Sequence, residues 1–240
     1  MKSYRGNAIA VGVLFIACSA ASILSAVPLG STLDGPDYLS KLAVSDNQVV
    51  MTALIEFVWA ATGAGIAIGL YPILRKSNPA LALGSVAARV VENVFVLIGT
   101  LSLLVLLTVS QQSLAPGSAA PSSFQATGDA LLAVREWASP DFVAGLAFVV
   151  GTFMYNYVMY RSRLVPRWLS GWGLVGAALM LVATVDSGFT QDFGFTTVTT
   201  VLNIPIGLQE MVLAVWLIAK GFNPSAVRSI APSAVRSMTQ

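Results

Sequence analysis

Residues 80–109 read ALALGSVAARVVENVFVLIGTLSLLVLLTV. Thirty consecutive residues hold only two charges, Arg89 and Glu92. A bilayer core is crossed by about 20 predominantly apolar residues, so this run is long enough to span one. A helix satisfies its own backbone hydrogen bonds in lipid, whereas a barrel strand would need alternating polarity that this run lacks. The stretch therefore predicts a membrane-crossing helix with two charges inside it.

The same pattern recurs on both sides, at about 8–27, 49–73, 141–160, 168–188 and 198–219, which makes six spans. The charges between them are sorted. One set of connections holds Lys2 and Arg5, Arg75 and Lys76, Arg161, Arg163 and Arg167, and Lys220, Arg228 and Arg236, with no carboxylate. The alternate set holds Asp34, Asp37, Asp46, Asp129, Glu136, Asp141, Asp186 and Asp192, with only Lys41 and Arg135 as cations. This is the positive-inside bias of a multi-pass protein, with both termini on the cytoplasmic side. The expected architecture is all-α: a six-helix transmembrane domain over residues 1–222 and a short basic cytoplasmic tail over 223–240. The expected location is a bacterial cytoplasmic (inner) membrane, with the lipid bilayer as the surrounding partner. Lys2 and Arg5 followed by an apolar run also resemble a signal peptide, but the length and the charge sorting favour a retained first helix.

Composition agrees. Of 240 residues, 56% are hydrophobic and 10% charged, and the mean hydropathy is +0.78. Soluble domains carry about 25% charged residues. The absence of histidine removes imidazole-based triads, the usual haem ligands and most transition-metal sites, so no metal or cofactor is expected. The single cysteine, Cys18, cannot form a disulfide or a thiolate zinc site within one chain, and reads as a small packing residue. No aromatic-studded basic face suggests nucleic acid.

Two of the acidic-side connections are long. In residues 31–46, Leu39 and Leu42 share a helical face after Gly35-Pro36, which predicts a short interfacial helix. In residues 111–138, a Ser/Ala/Pro/Gly tract through about Ser123 leads into Leu131, Leu132 and Trp137, interleaved with Asp129, Arg135 and Glu136. This predicts an amphipathic piece lying on the outer leaflet. Gly65 and Gly69 form a GxxxG step, and Gly173, Gly176 and Ala177 a second small-residue face; internal packing and a homodimer contact both fit. The tail repeats Pro224–Ser229 as Pro232–Ser237.

Four charges lie inside the spans: Glu56, Arg89, Glu92 and Glu210. Each would cost roughly 2.5–3.5 kcal/mol at mid-membrane on insertion scales, so all should turn inward. Arg89, Glu92 and Asn93 share one helical face at i, i+3 and i+4. The expected polar cluster is Glu56, Arg89, Glu92, Asn93 and Glu210, with Tyr155, Asn156 and Gln209 as pocket lining. Three carboxylates against one guanidinium leave two negative charges to be met by protons, a cation or water. Pro205 should kink the sixth span and free a carbonyl near Glu210.

Several stretches taken together point to a known group: Pro36-Asp-Tyr-Leu39, Leu70-Tyr-Pro-Ile-Leu-Arg75, Ala87-Ala-Arg-Val-Val-Glu92, Tyr160-Arg-Ser-Arg-Leu-Val-Pro-Arg-Trp-Leu169, Gly171-Trp-Gly-Leu174 and Leu217-Ile-Ala-Lys-Gly-Phe222. The chain resembles a bacterial family of six-helix membrane proteins known as domain of unknown function 4386. The resemblance spans nearly the whole chain. It implies the topology and draws attention to an Arg-x-x-Glu step, matched by Arg89 and Glu92, and to a glutamate in the last span, matched by Glu210. It implies no activity.

Three functions stay open. The favoured one is binding of a small polar or lipid-like ligand at the Arg/Glu cluster, by a proton-coupled carrier or a sensor. The second is an accessory subunit of a larger membrane complex, with the cluster as a structural pin. The third is a carboxylate-dependent enzyme, limited without histidine to acid–base or Mg²⁺ chemistry and without an HExxH motif, a nucleophile elbow or a phosphate loop. No catalytic residue is assigned.

Overall fold

The structure is a computed structural model that describes residues 2–116, 121–194 and 196–229. Among the described residues every regular element is helical: α1 (Lys2–Leu24), α2 (Tyr38–Ala43), α3 (Asp46–Leu74), α4 (Pro79–Ser113), α5 (Pro121–Ala138), α6 (Val143–Ser162), α7 (Arg167–Thr190), α8 (Thr197–Ala219) and α9 (Pro224–Ser229). Six helical stretches are long and apolar enough to cross a membrane. Five of them begin and end within a few residues of the predicted spans; the fourth, Ser122–Ser162, ends where predicted but begins earlier because it takes in α5 ahead of α6. The protein is a multi-pass membrane protein.

The spans form a closed ring in the order α1, α3, α4, α6, α7, α8, with α8 packing back on α1. Short turns join three of the six neighbouring pairs, α3–α4, α6–α7 and α7–α8, as antiparallel hairpins. Asn78 accepts a hydrogen bond from the Leu81 amide and Pro79 occupies the first helical turn, so α4 starts sharply after α3. α1 closes the ring: Arg5 donates to the Ile218 and Ala219 carbonyls at the end of α8. Halfway up, the Phe15 ring meets Tyr155 of α6 edge-on at 6.4 Å.

The glycine faces are spent inside the ring. A Cβ at Gly69 would stand 2.7 Å from Val11 Cγ2, and one at Gly65 would stand 3.3 Å from Leu14. α1 occupies the GxxxG face, which removes it as a homodimer contact. Likewise, a Cβ at Gly176 would lie 3.0–3.1 Å from Ile206 on α8. The outer surface is apolar: Leu54, Phe57, Ile68, Leu83, Leu101 and Val215 are each about 60% exposed.

α4 has 35 residues and so is about 52 Å long, well beyond a bilayer core of about 30 Å. Its excess length projects at the acidic end, where α2, α5 and the start of α3 pack around it. Leu29, Tyr38, Leu39, Leu42, Val49, Leu103 and Leu106 form the core of this cap. The predicted helix near Leu39 and Leu42 is α2, and its Tyr38 hydroxyl donates to Asp129 of α5 at 2.8 Å.

The second loop helix differs from expectation. α5 is not a short piece flat on the outer leaflet. Ser102 donates to the Leu131 carbonyl at 2.6 Å and Arg135 donates to the Gly99 carbonyl at 3.1 Å, so α5 descends antiparallel along α4. Its apolar positions found a helix to pack on instead of lipid. The repeat's second copy, Pro232–Ser237, lies outside the described residues, as does part of the Ser/Ala/Pro/Gly tract.

Candidate functional site

On α4, Val90, Val91 and Val94 are exposed while Arg89, Glu92 and Asn93 are 2%, 4% and 4% exposed. The i, i+3, i+4 face therefore turns into the ring as its spacing predicts. At about 1.5 Å per residue, Arg89 lies about 15 Å from the start of α4 and Glu210 about 14 Å from the end of α8. Both starting points are at the basic end, so the two residues lie at a similar depth.

Arg89 Nη1 lies 2.9 Å from Glu92 Oε2, and its guanidinium carbon stands 4.7 Å from the centre of the Phe148 ring. The ion pair is close but poorly aimed. Neither Nη1 nor Oε2 has a hydrogen bond of acceptable direction, and Arg89 Nε also lacks a protein partner. The contact is therefore Coulombic, without the paired N–H···O bonds of a bidentate site. α6 makes room for the arginine with Gly151, where a Cβ would stand 3.1 Å from Arg89 Cγ.

Glu210 is different from its neighbours. It is half-buried, whereas the other cluster members are buried. Its Oε1 accepts from the buried Tyr155 hydroxyl at a long 3.4 Å. Asn203, at i−7 on the same α8 face, is half-buried two turns nearer the acidic end, and its Oδ1 has no protein partner. Asn93 turns back on its own helix, with Nδ2 donating to the Arg89 carbonyl at 2.6 Å, while its Oδ1 is unpartnered.

Asn156 and Gln209 sit against α7. Asn156 packs on Gly173 and donates to the Thr152 carbonyl at 3.1 Å; Gln209 donates to the Leu169 carbonyl at 3.2 Å. Both side-chain carbonyl oxygens are buried without a partner. Tyr155 faces inward at 2% exposure while Tyr157, 47% exposed, faces out, as do the exposed Tyr160 and Trp168, in the manner of a membrane-interface belt.

Glu56 does not join this cluster. It pairs with Arg135 of α5 at 2.5 Å and accepts from the Thr100 hydroxyl at 2.6 Å. Thr100 lies eleven residues beyond Arg89, about 17 Å along α4. The separation follows from the excess length of α3 and α4, which puts Glu56 at the base of the cap. The four in-span charges thus divide into two sites, and the second site brings its own cation.

Arg135, Thr100, Phe148 and Gly151 are the site residues that sequence reasoning missed. Arg135 had a signal, being one of only two cations on the acidic side. Thr100 had one as well, because i+11 returns to the Arg89 face. The Pro205 expectation also changes. α8 continues through Pro205, and the carbonyl deprived of its i+4 amide is that of Val201, about 13 Å along the axis from Glu210.

Residues 10–221 match the family model described as Domain of unknown function (DUF4386), so the chain belongs to that family. No curated protein and no solved structure matches the chain.

Proposed function

We propose that this DUF4386-family membrane protein binds a small polar ligand at mid-membrane, with Glu210 as the anchor and proton exchange at the same carboxylate. The observation that carries the reading is Glu210 itself: a half-buried carboxylate inside a spanning helix, with a single long hydrogen bond to Tyr155. Buried polar groups are ordinarily paired. Unpaired buried atoms accumulate on the helices that carry the cluster: Arg89 Nε and Asn93 Oδ1 on α4, and Asn203 Oδ1 and Gln209 Oε1 on α8, the helix of Glu210. Such a set is complementary to a ligand or to water rather than to itself.

Charge selects the ligand class. With Glu56 neutralised by Arg135, the middle site holds Arg89 against Glu92 and Glu210. One negative charge is left over, and a proton or a ligand cation supplies the balance. A singly charged amine or a proton-exchanging polar molecule fits, whereas a strongly anionic ligand does not. In this reading the basic end faces the cytoplasm of a bacterial inner membrane, and Asn203 marks the approach from the acidic side.

The contrast with Glu56 supports the division of roles. That carboxylate receives two good hydrogen bonds and fixes α5 to α3 and α4, as a structural pin would. The test compares Glu92→Gln with Glu210→Gln in the purified full-length protein. Glu92→Gln strands a buried guanidinium and should cost about 3–5 kcal/mol. Glu210→Gln removes surplus charge and should leave stability within about 1 kcal/mol or raise it, as relief of a functional site does. Native mass spectrometry should show a small-molecule adduct on the wild type that Glu210→Gln loses. Equal destabilisation by both variants, with no adduct on either, would make Glu210 structural.

A further inference from the structure

At the basic end a cavity of about 650 Å³ opens between the α6–α7 turn and the end of α8. Three cations line it: Arg163, Arg167 and Lys220. No acidic side chain does, and among the described residues no ion pair involves any of the three. Its floor is apolar and buried, with Leu164, Val165 and Phe222. Trp216 forms part of the wall and meets the exposed Trp168 edge-on at 6.5 Å.

We propose that this cavity holds the phosphate headgroup of an anionic phospholipid. The charge argument is direct: three cationic residues line one open cavity whose lining holds no acidic residue, with the Arg167 guanidinium 5.3 Å from the centre of the Tyr160 ring. α7 adds to it, since that helix starts at Arg167 without a side-chain cap and so presents the positive end of its dipole. The geometry is built rather than incidental. Arg163 holds a left-handed backbone at φ 57°, uncommon for a non-glycine residue, and Asn223 fastens both sides of the cavity. The Asn223 amide donates to the Leu164 carbonyl at 2.8 Å and its side chain donates to the Arg163 carbonyl at 3.3 Å.

Lipid is favoured over a free anion by the cavity's position. It lies at the ends of spanning helices, beside two indoles of the kind that sit at headgroup level, with an apolar floor against which glycerol and upper acyl carbons can rest. Basic pockets between spanning helices on the cytoplasmic side suit such headgroups. A volume of this order is also typical of a small-molecule site. This site is separate from the mid-membrane cluster and does not depend on the reading given there.

The test uses the full chain, delipidated in neutral detergent, and native mass spectrometry with three probes: phosphatidylglycerol, phosphatidylcholine and inorganic phosphate. Phosphatidylglycerol should bind at least tenfold tighter than phosphatidylcholine, and inorganic phosphate should compete only at far higher concentration. Each of Arg163→Gln and Lys220→Gln should weaken phosphatidylglycerol binding about fivefold, the order expected of one surface cation. Both side chains are exposed, so the variants should fold, and unchanged unfolding in lipid-free detergent checks this. Arg75→Gln with Lys76→Gln, at the same end but outside the cavity, should leave binding within twofold. The proposal is overturned if that control loses as much as the cavity variants, if the two lipids bind alike, or if inorganic phosphate binds as tightly as the lipid.

Discussion

Replacing Arg135 with leucine should unfold this protein more readily than its place in a connecting segment suggests. Its partner Glu56 is 6% exposed as a side chain and lies at the base of the cap. Arg135 donates to both Glu56 oxygens, at 2.5 and 3.4 Å, and to the Gly99 carbonyl at 3.1 Å. Without it, Glu56 keeps only the Thr100 hydroxyl, and an uncompensated buried charge of this kind costs about 3–5 kcal/mol. Glu56→Leu should cost less, about 1–3 kcal/mol, because the Arg135 side chain is 22% exposed and can turn to water. The double variant should recover most of the loss, since a buried pair replaced by apolar groups is often neutral. Thr100 would then donate to the Val96 carbonyl, already 3.0 Å away. Denaturant unfolding in detergent micelles across the four proteins gives the coupling energy directly. A loss under about 1 kcal/mol for Arg135→Leu, the size of an exposed pair, with additive single effects, would refute the pin.

Gly151→Leu should push Arg89 off Phe148 and Glu92 and cost about 1–3 kcal/mol by overpacking, measured by the same unfolding series. Gly69→Leu should destabilise by a similar amount and leave the oligomeric state unchanged in size-exclusion chromatography with light scattering, because Val11 of α1 fills that face. Tyr38, buried and donating to Asp129, holds its phenol above the ordinary tyrosine range, burial being the main cause. A raised value means that its contribution is fully present below about pH 10 and is lost as pH rises through the folded value. Tyr38→Phe should therefore lower stability at neutral pH by about 1.5–3 kcal/mol, and should flatten the alkaline decline seen in a pH series.

How much was legible from the chain depends on the kind of signal. The six spans could be read because bilayer thickness converts apolar length into helices, and the inward turn of Arg89, Glu92 and Asn93 follows from a 3.6-residue period. The similar depth of Arg89 and Glu210 was also within reach, as both lie about equally far from the basic end. Glu56 misled because its depth was judged against a bilayer-length helix, whereas α3 and α4 run on beyond the membrane. That excess is invisible in residues 101–109, which are as apolar as any spanning segment yet pack partly against the cap. α5 misled for a related reason: an amphipathic period shows that a helix has an apolar face, but not whether lipid or protein covers it. Gly151 and Phe148 gave no signal, since a glycine or a phenylalanine in a membrane helix is unexceptional until its neighbour across the ring is known.

A high-resolution structure of the wild-type protein in native lipid, read at Glu210, tests the central claim most directly. The account predicts non-protein density, a small molecule or ordered water, in contact with Glu210 and within reach of Arg89 Nε and Asn203. A dry cluster, with Arg89 bonded bidentately to Glu92 and Glu210 and no space beside them, would contradict it.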